Sequence, residues 1–142
     1  MYVPVYFKVQ ELVPPSVYEQ MGDRSLILLD ERAVITVDSL RKHLGKCIVN
    51  DWCFGGHYKQ SGLRTDECPE YSPTSQHAFG RAMDSKFENH TAEEVRQFVI
   101  KNKELFPFIT FIEDDVTWFH FDVRNGERIT LWSPKTGKSR VV

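Results

Sequence analysis

Residues 117–124 read Thr-Trp-Phe-His-Phe-Asp-Val-Arg and alternate between two kinds of side chain. In a β-strand, successive side chains point to opposite faces of the sheet. Trp118, His120 and Asp122 therefore share one face, and the two phenylalanines share the other, which is typical of a buried core. The pattern predicts a strand that carries ionisable groups on its second face.

The carboxylate of Asp122 in this strand requires an explanation, because burying an unpaired charge among aromatic residues costs several kcal/mol. Two interpretations account for it. In one, His120 and Asp122 form a hydrogen bond on a half-exposed strand. In the other, the strand contributes to a metal site. The alternation alone leaves both open.

A second stretch with similar groups covers residues 75–84 and reads Ser-Gln-His-Ala-Phe-Gly-Arg-Ala-Met-Asp. His77 stands seven residues before Asp84. If the end of this stretch is extended, Gly80, Ala82 and Asp84 share one face. The two small residues would then leave space for another group to approach the carboxylate.

Together the two stretches offer the donors of a catalytic zinc site. Such a site has three protein ligands and keeps its fourth position for water. Two imidazoles and one carboxylate, from His77, His120 and Asp84, match this requirement. Asp122 would then orient an imidazole from behind.

The rest of the chain predicts an α+β fold. One amphipathic helix is indicated by apolar or small residues at steps of three and four, followed by Gly45: Leu29, Ala33, Thr36, Val37, Leu40 and Leu44. A second helix begins with a capping box at Thr91 and Glu94, and its apolar stripe runs to Leu105. Strands are predicted at residues 2–9, 47–52, 106–112, 116–124 and 129–132. We expect a small antiparallel sheet with the ionisable groups on one face and both helices on the other.

Length and composition limit the function. The chain has 142 residues, 41% of them hydrophobic, which fits a single domain. A formal net charge of −2 argues against a general binder of nucleic-acid backbones. No apolar run approaches the ~20 residues of a membrane span, and the N-terminus lacks the pattern of a signal peptide, so we expect no membrane insertion. The odd number of cysteines fits synthesis in a reducing compartment.

The motifs resemble those of a known family. Residues 75–84 reproduce the signature Ser-x-His-x-x-Gly-x-Ala-x-Asp, residues 117–124 look like a Trp-x-His-x-Asp-x-Arg run, and residues 61–65 resemble Ser-Gly-Tyr-Arg-Ser. Together they resemble the M15 family of zinc D-Ala-D-Ala carboxypeptidases and endolysins, whose fold is shared by the hedgehog signalling domain. The resemblance spans residues 29–132, within a single domain of residues 1–142. It implies a hedgehog/DD-peptidase-like fold.

The resemblance also assigns roles to residues. It implies that His77, Asp84 and His120 bind one zinc ion. Arg64 would hold a carbonyl or carboxylate of the substrate through its planar guanidinium. Ser75 would contact the substrate, although a hydroxyl that stabilises a turn is an equally good interpretation.

The general base is where the chain departs from the family pattern. Members carry an acidic residue three positions before the last zinc-binding histidine, or a His-x-His pair, whereas this chain has Thr117 and Trp118 there. Glu113 is the favoured base because its placement resembles that of a glutamate in hedgehog-type domains, and Asp115 is second. The alternative is that both acids belong to a solvated turn.

The implied activity is zinc-dependent hydrolysis of D-amino-acid-containing peptide bonds in peptidoglycan stem peptides, by a monomeric enzyme of the phage endolysin type. Such an enzyme is made in the cytoplasm without a signal peptide and acts on the cell wall after release. One alternative is a catalytically silent zinc domain that binds a cell-wall peptide or a protein partner. Another is a structural zinc site built from Cys47, Cys53, His57 and Cys68.

Overall fold

A computed structural model describes residues 1–142 and has an α+β fold. The three α-helices are Pro15–Met21 (α1), Glu31–Leu44 (α2) and Ala92–Lys101 (α3). The six strands are Cys47–Ile48 (β1), Ala82–Phe87 (β2), Phe111–Glu113 (β3), Phe119–Asp122 (β4), Thr130–Trp132 (β5) and Ser139–Val141 (β6). Short 3-10 helices cover Val9–Glu11, Gly22–Leu28, Trp52–Phe54 and Lys103–Leu105. None of the helices is long and apolar enough to cross a membrane.

The six strands form one sheet in the order β1-β2-β4-β3-β5-β6. All neighbours are antiparallel except β3 and β5, which are parallel. The predicted purely antiparallel sheet is therefore wrong at this pair. The strand order explains this pair. Strand β4 lies between β2 and β3 and runs antiparallel to β3. After β4 the chain reverses its direction and pairs with the free edge of β3, so β5 runs parallel to β3.

Both predicted helices are confirmed, although α2 begins after Leu29 and α3 ends before Leu105. The Asp30 side chain accepts a hydrogen bond from the backbone N–H of Arg32 at the start of α2, and Gly45 ends that helix with a φ of 83°. Thr91 and Glu94 form the expected capping box at the start of α3. The helix α1 was not predicted, because its seven residues are too few to show a period.

Several predicted strands are shorter or absent. Residues 2–9 do not form a strand, because the N–H groups of Val5 and Tyr6 donate to the buried Asp38 of α2 instead of to a neighbouring strand, both at 2.8 Å. The strand predicted at 106–112 keeps only β3, since residues 106–109 form a turn in which the N–H of Ile109 donates to the carbonyl oxygen of Phe106.

Two of the remaining predicted strands are shorter than expected, and the last is confirmed. The segment 47–52 keeps only β1, because the following backbone N–H groups donate to Glu11 and Tyr58. The segment 116–124 shortens to β4, and the last predicted strand is confirmed as β5. A further strand, β6, follows it.

The sheet has the two faces that the alternation predicts. Phe119 and Phe121 are fully buried in a core cluster that also contains Met83 of β2 and residues of both predicted helices. His120 and Asp122 point to the opposite face, together with Asp84 of β2. The core thus fixes the strands rigidly, and the other face is left to carry the ionisable groups.

Candidate metal centre

His77, Asp84 and His120 form a cluster on the sheet face opposite the core. Asp84 of β2 pairs directly with His120 of β4, and His77 comes from the turn that precedes β2. One potential ligand atom from each residue lies within 4.8 Å of the other two. The structure therefore brings together the three residues that the sequence predicts as ligands, although they are separated by up to 43 positions in the chain.

The turn before β2 differs from the predicted extended segment. Gly80 has a φ of 68° and is not on the face shared by Ala82 and Asp84, so this part of the prediction is wrong. A Cβ atom at Gly80 would lie 2.3 Å from the carbonyl oxygen of Leu28. The glycine is needed for the left-handed turn and for this close approach, which place His77 over the sheet.

A hydrogen bond on the side away from the cluster fixes the orientation of the His77 ring. Its Nδ1 lies 2.9 Å from the carbonyl oxygen of Gly62. Because a carbonyl oxygen can only accept, Nδ1 carries the proton and Nε2 has the free lone pair. That Nε2 lies 3.4 Å from Oδ2 of Asp84. The backbone of His77 is held as well, since its carbonyl oxygen accepts from the N–H of Arg64.

His120 lies between two carboxylates. Its Nε2 is 3.0 Å from Oδ2 of Asp122, and its Nδ1 is 2.8 Å from Oδ1 of Asp84. Burial opposes the charging of this ring, but the hydrogen bonds to Asp122 and Asp84 outweigh burial and raise the pKa of His120 to about 9. In the metal-free protein, a proton at neutral pH therefore occupies the position between the ring and Asp84.

Asp122 is fully buried, and neighbouring groups compensate its negative charge. Burial raises the pKa of a carboxyl group, but two hydrogen bonds from Arg124, at 2.6 and 2.7 Å, and the contact with His120 hold the pKa of Asp122 below its usual value. The Arg124 guanidinium stacks on Phe111 at 3.6 Å from the ring centroid. The predicted hydrogen bond between His120 and Asp122 is confirmed, but the strand that carries it is buried and not half-exposed.

The hydrogen bond and the metal site are therefore not alternatives. Asp122 occupies Nε2 of His120, which leaves Nδ1 as the ring atom that faces Asp84 and His77. Burial raises the pKa of Asp84, but its contacts with His120 and His77 outweigh burial and keep the pKa well below its usual range, so this carboxylate is ionised. Two imidazole nitrogens and one ionised carboxylate oxygen can hold a divalent metal ion.

Glu113 lies beside this cluster because of strand register. Phe111 pairs with Asp122 and Ile112 with Phe121, so the next position places Glu113 beside His120 on the same face. Its carboxylate has no hydrogen bond or ion pair within the chain. Burial raises the pKa of Glu113, and the neighbouring His120 partly offsets this effect. An unpaired, half-buried carboxylate with a raised pKa beside this cluster is a candidate for proton transfer.

The other two acids of the turn point elsewhere. Asp115 adopts a φ of 56°, its carboxylate accepts a hydrogen bond from the hydroxyl of Ser133, and it does not line the cleft. Asp114 lies 3.5 Å from Arg96 of α3. Of the predicted bases, the structure brings Glu113 to the cluster and does not bring Asp115.

The two predicted substrate-binding residues have different surroundings. The guanidinium of Arg64 lies at the cluster, where Nη2 is 3.4 Å from Oδ2 of Asp84 and Nε donates to the carbonyl oxygen of Gln60 at 3.1 Å. The Ser75 hydroxyl accepts from the backbone N–H of His77 at 3.2 Å. Ser75 therefore stabilises the turn that carries His77, while it also lines the cleft.

The cluster lies in an open cleft of about 1260 Å³. Its walls include aromatic and basic side chains that the sequence did not single out: Tyr58, Lys59, Lys86, Phe111 and Trp132. Strand alternation could have identified Lys86, which is two residues after Asp84. Trp132 could not have been found in this way, because its position depends on the parallel pairing of Glu113 with Trp132.

The proposed cysteine site is not formed. His77, Asp84 and His120 are the only group of three or more potential ligands that converges in the structure. All three cysteines are free, and Cys47 is buried in the core, where burial raises the pKa of its thiol to about 12. Cys68 instead donates to a carboxylate oxygen of Glu70. The alternative of a structural zinc site at Cys47, Cys53, His57 and Cys68 is wrong.

No protein-family model, curated protein or solved structure gives a significant match to this chain. A functional proposal must therefore be built from the geometry of the site and from the motifs in the sequence.

Proposed function

We propose that this protein is a zinc-dependent peptidase that hydrolyses D-amino-acid-containing bonds of peptidoglycan stem peptides, with the hedgehog/DD-peptidase fold and the role of a phage-type endolysin. One observation carries the proposal: the convergence of His77, Asp84 and His120, with the far side of each imidazole ring already engaged by a hydrogen bond. The motifs that resemble the M15 family supply the substrate class.

Zinc fits this donor set, and the motifs that resemble the M15 family imply zinc rather than another divalent metal. Imidazole nitrogens and one carboxylate are its common ligands in catalytic sites, and hydrogen bonds behind the histidines strengthen such a site. A bound zinc ion supplies Lewis acidity, which lowers the pKa of water to about 7 and polarises a carbonyl group. His77 would contribute Nε2 and His120 would contribute Nδ1, since their other ring nitrogens contact Gly62 and Asp122.

Glu113 would move the proton. Its carboxylate is free of other partners, lies beside His120 in the sheet, and has a pKa raised by burial. It would accept a proton from the attacking water and deliver it to the leaving amine. A pKa closer to the working pH favours both transfers.

Arg64 would bind the substrate. A guanidinium group has five N–H donors, and the contacts with Gln60 and Asp84 leave some of them free to face the cleft. These donors would hold a carbonyl or carboxylate oxygen and stabilise the negative charge that develops on it. The contact with Asp84 also fixes the distance between the guanidinium group and the metal cluster.

The metal assignment is tested by the zinc content of the purified protein. We expect about one zinc ion per chain, and its loss in His77→Ala. The matched control is His43→Ala, because His43 is exposed on α2, away from the cluster, where it contacts Ser39 and the edge of the Phe106 ring. Zinc that is absent, or that stays bound in His77→Ala, would contradict the site.

The activity is tested by digesting purified peptidoglycan and analysing the muropeptides by mass spectrometry. We expect cleaved stem peptides, and a rate at least about 100-fold lower for Glu113→Gln, which is the usual contribution of a general base. Asp115→Asn is the matched control, because asparagine tolerates the positive φ and can still accept from Ser133. A slow Asp115→Asn with an unimpaired Glu113→Gln would reverse the assignment of the base.

A second candidate function is a zinc-containing domain that binds cell-wall peptide without cleaving it. Thr117 favours it, because this position carries the acid in family members with the usual pattern. Bound zinc and peptide binding without turnover on any muropeptide would select this alternative.

A further inference from the structure

Lys86 is the second ionisable residue of β2 on the cleft face. It follows Asp84 by two positions, so both side chains point to the same side of the sheet. Ser85 pairs with Phe119 in β4, and the register therefore places Lys86 beside Trp118. The side chain lines the same cleft as the metal cluster.

The charge of Lys86 is not neutralised within the chain. The two arginines of the cleft contact carboxylates, since Arg64 lies against Asp84 and Arg124 against Asp122. Lys86 forms no ion pair, and its ammonium group instead lies 3.9 Å from the ring centroid of Tyr58. A half-buried cation held on the face of an aromatic ring is well placed to receive an anion from the cleft.

The spacing along β2 limits where that anion lies in a bound peptide. Two residues of a strand span about 7 Å, so Lys86 is about two extended residues away from the metal ligand Asp84. A peptide whose scissile bond lies at the metal cluster would place a neighbouring residue near Lys86.

We propose that Lys86 is a specificity-determining residue that binds a free carboxylate of the substrate, on a residue next to the scissile bond. This inference rests on the proposed function, because the scissile bond is placed at the metal cluster. It specifies the substrate class further: an acidic peptide in which the carboxylate near the cleavage site is not amidated. In a stem peptide, this carboxylate belongs either to D-glutamate or to the C-terminus.

The test compares three synthetic stem pentapeptides: one unmodified, one with a C-terminal amide, and one with the α-carboxyl group of D-glutamate amidated. Their dissociation constants are measured by calorimetry on zinc-loaded Glu113→Gln protein, in which turnover should be at least about 100-fold slower. One of the two amides should bind about tenfold more weakly than the unmodified peptide, which is the size of one charge-assisted hydrogen bond. The amide that is weakened identifies the carboxylate.

The same measurements on Lys86 variants assign the effect to this residue. Lys86→Met keeps the length of the side chain and should remove the discrimination between carboxylate and amide, while Lys86→Arg should retain it. Lys59→Met is the matched control, because Lys59 lines the same cleft but is exposed. Discrimination that survives in Lys86→Met, or that is lost in Lys59→Met, would overturn the inference.

Cleavage by the wild-type protein separates this inference from the proposed function. Discrimination by Lys86 without cleavage would leave only the contact between Lys86 and the carboxylate standing, and would overturn both the hydrolytic function and the placement of that contact next to a scissile bond. Cleavage with equal rates for carboxylate and amide peptides would support the hydrolytic function and overturn the inference about Lys86. A protein that neither binds nor cleaves the three peptides would contradict both.

Discussion

Zinc binding should depend steeply on pH because of the proton on His120. In the metal-free protein, the hydrogen bonds to Asp122 and Asp84 raise the pKa of His120 from 6.5 to about 9 in spite of burial. The protonated ring therefore stabilises the metal-free protein fully below about pH 6.5, and this contribution is lost as the pH rises through about 9. Zinc must displace that proton, since only the neutral imidazole binds a metal.

The magnitude follows from the distance between the pKa and the pH of the experiment. At pH 7 the ring is two pH units below its pKa, so the apparent affinity for zinc should be about 100-fold weaker than its limiting value. The affinity should rise about tenfold per pH unit and level off near pH 9. Zinc binding at pH 7 should release about one proton from His120.

The assay is isothermal titration calorimetry in buffers that differ in ionisation enthalpy, combined with competition against a zinc chelator from pH 6.5 to 9.5. Asp122→Asn supplies the matched variant, because it removes the carboxylate that faces Nε2 but keeps a side chain of the same shape. The affinity of this variant should level off at a lower pH, and its limiting affinity should be 10–100-fold weaker, as is typical for residues behind a metal ligand.

Two results would refute this reasoning. Zinc binding at pH 7 without proton release would mean that His120 is neutral in the metal-free protein or is not a ligand. An Asp122→Asn variant with the same limiting affinity and the same levelling pH would mean that the carboxylate acts only on the fold.

Three further predictions concern the framework and can be measured by chemical denaturation. Gly80→Ala should lower the free energy of unfolding by roughly 2–4 kcal/mol, because the φ of this residue is 68° and the new Cβ would lie 2.3 Å from a backbone oxygen. Gly137 has a similar φ of 70° but open space around it, so Gly137→Ala should lower the free energy of unfolding by only about 1 kcal/mol. Equal losses at the two glycines would rule out the close contact. Thr91→Ala should cost about 1 kcal/mol through loss of the helix cap, and an unchanged stability would show that the cap is replaced by water. Asp38→Asn should destabilise the protein by about 1–3 kcal/mol, because the buried Asp38 accepts hydrogen bonds from the backbone N–H groups of Val5 and Tyr6. It should leave zinc affinity unchanged, and a loss of affinity would contradict the separation of the two faces.

The regular elements with local signals were predictable. The period of apolar residues, Gly45 and the capping box at Thr91 belong to single short segments, and the structure confirms the two helices that they indicate. The alternation in 117–124 likewise predicted which side chains face the core and which face the cleft. Each of these features depends on contacts between residues only a few positions apart.

Strand lengths and pairings were harder to predict, since backbone hydrogen bonds go to whichever partner the fold supplies. The N-terminal segment looks like a strand, yet Asp38 of α2 takes its N–H groups. The parallel pairing of β3 with β5 follows from the sheet edge that β4 leaves free. Neither partner can be read from the local pattern.

The residue types of the candidate metal centre could be predicted, because His77, Asp84, His120 and Asp122 lie in two short and distinctive motifs. Which ring nitrogens face the cluster became clear from the fold, since Gly62 and Asp122 occupy the other nitrogens. The fold also brings Glu113 to the cluster, unlike the other two acids of its turn. Hydrogen bonds and pKa values depend on groups within a few ångströms in space, and sheet pairing brings such groups together from distant parts of the chain.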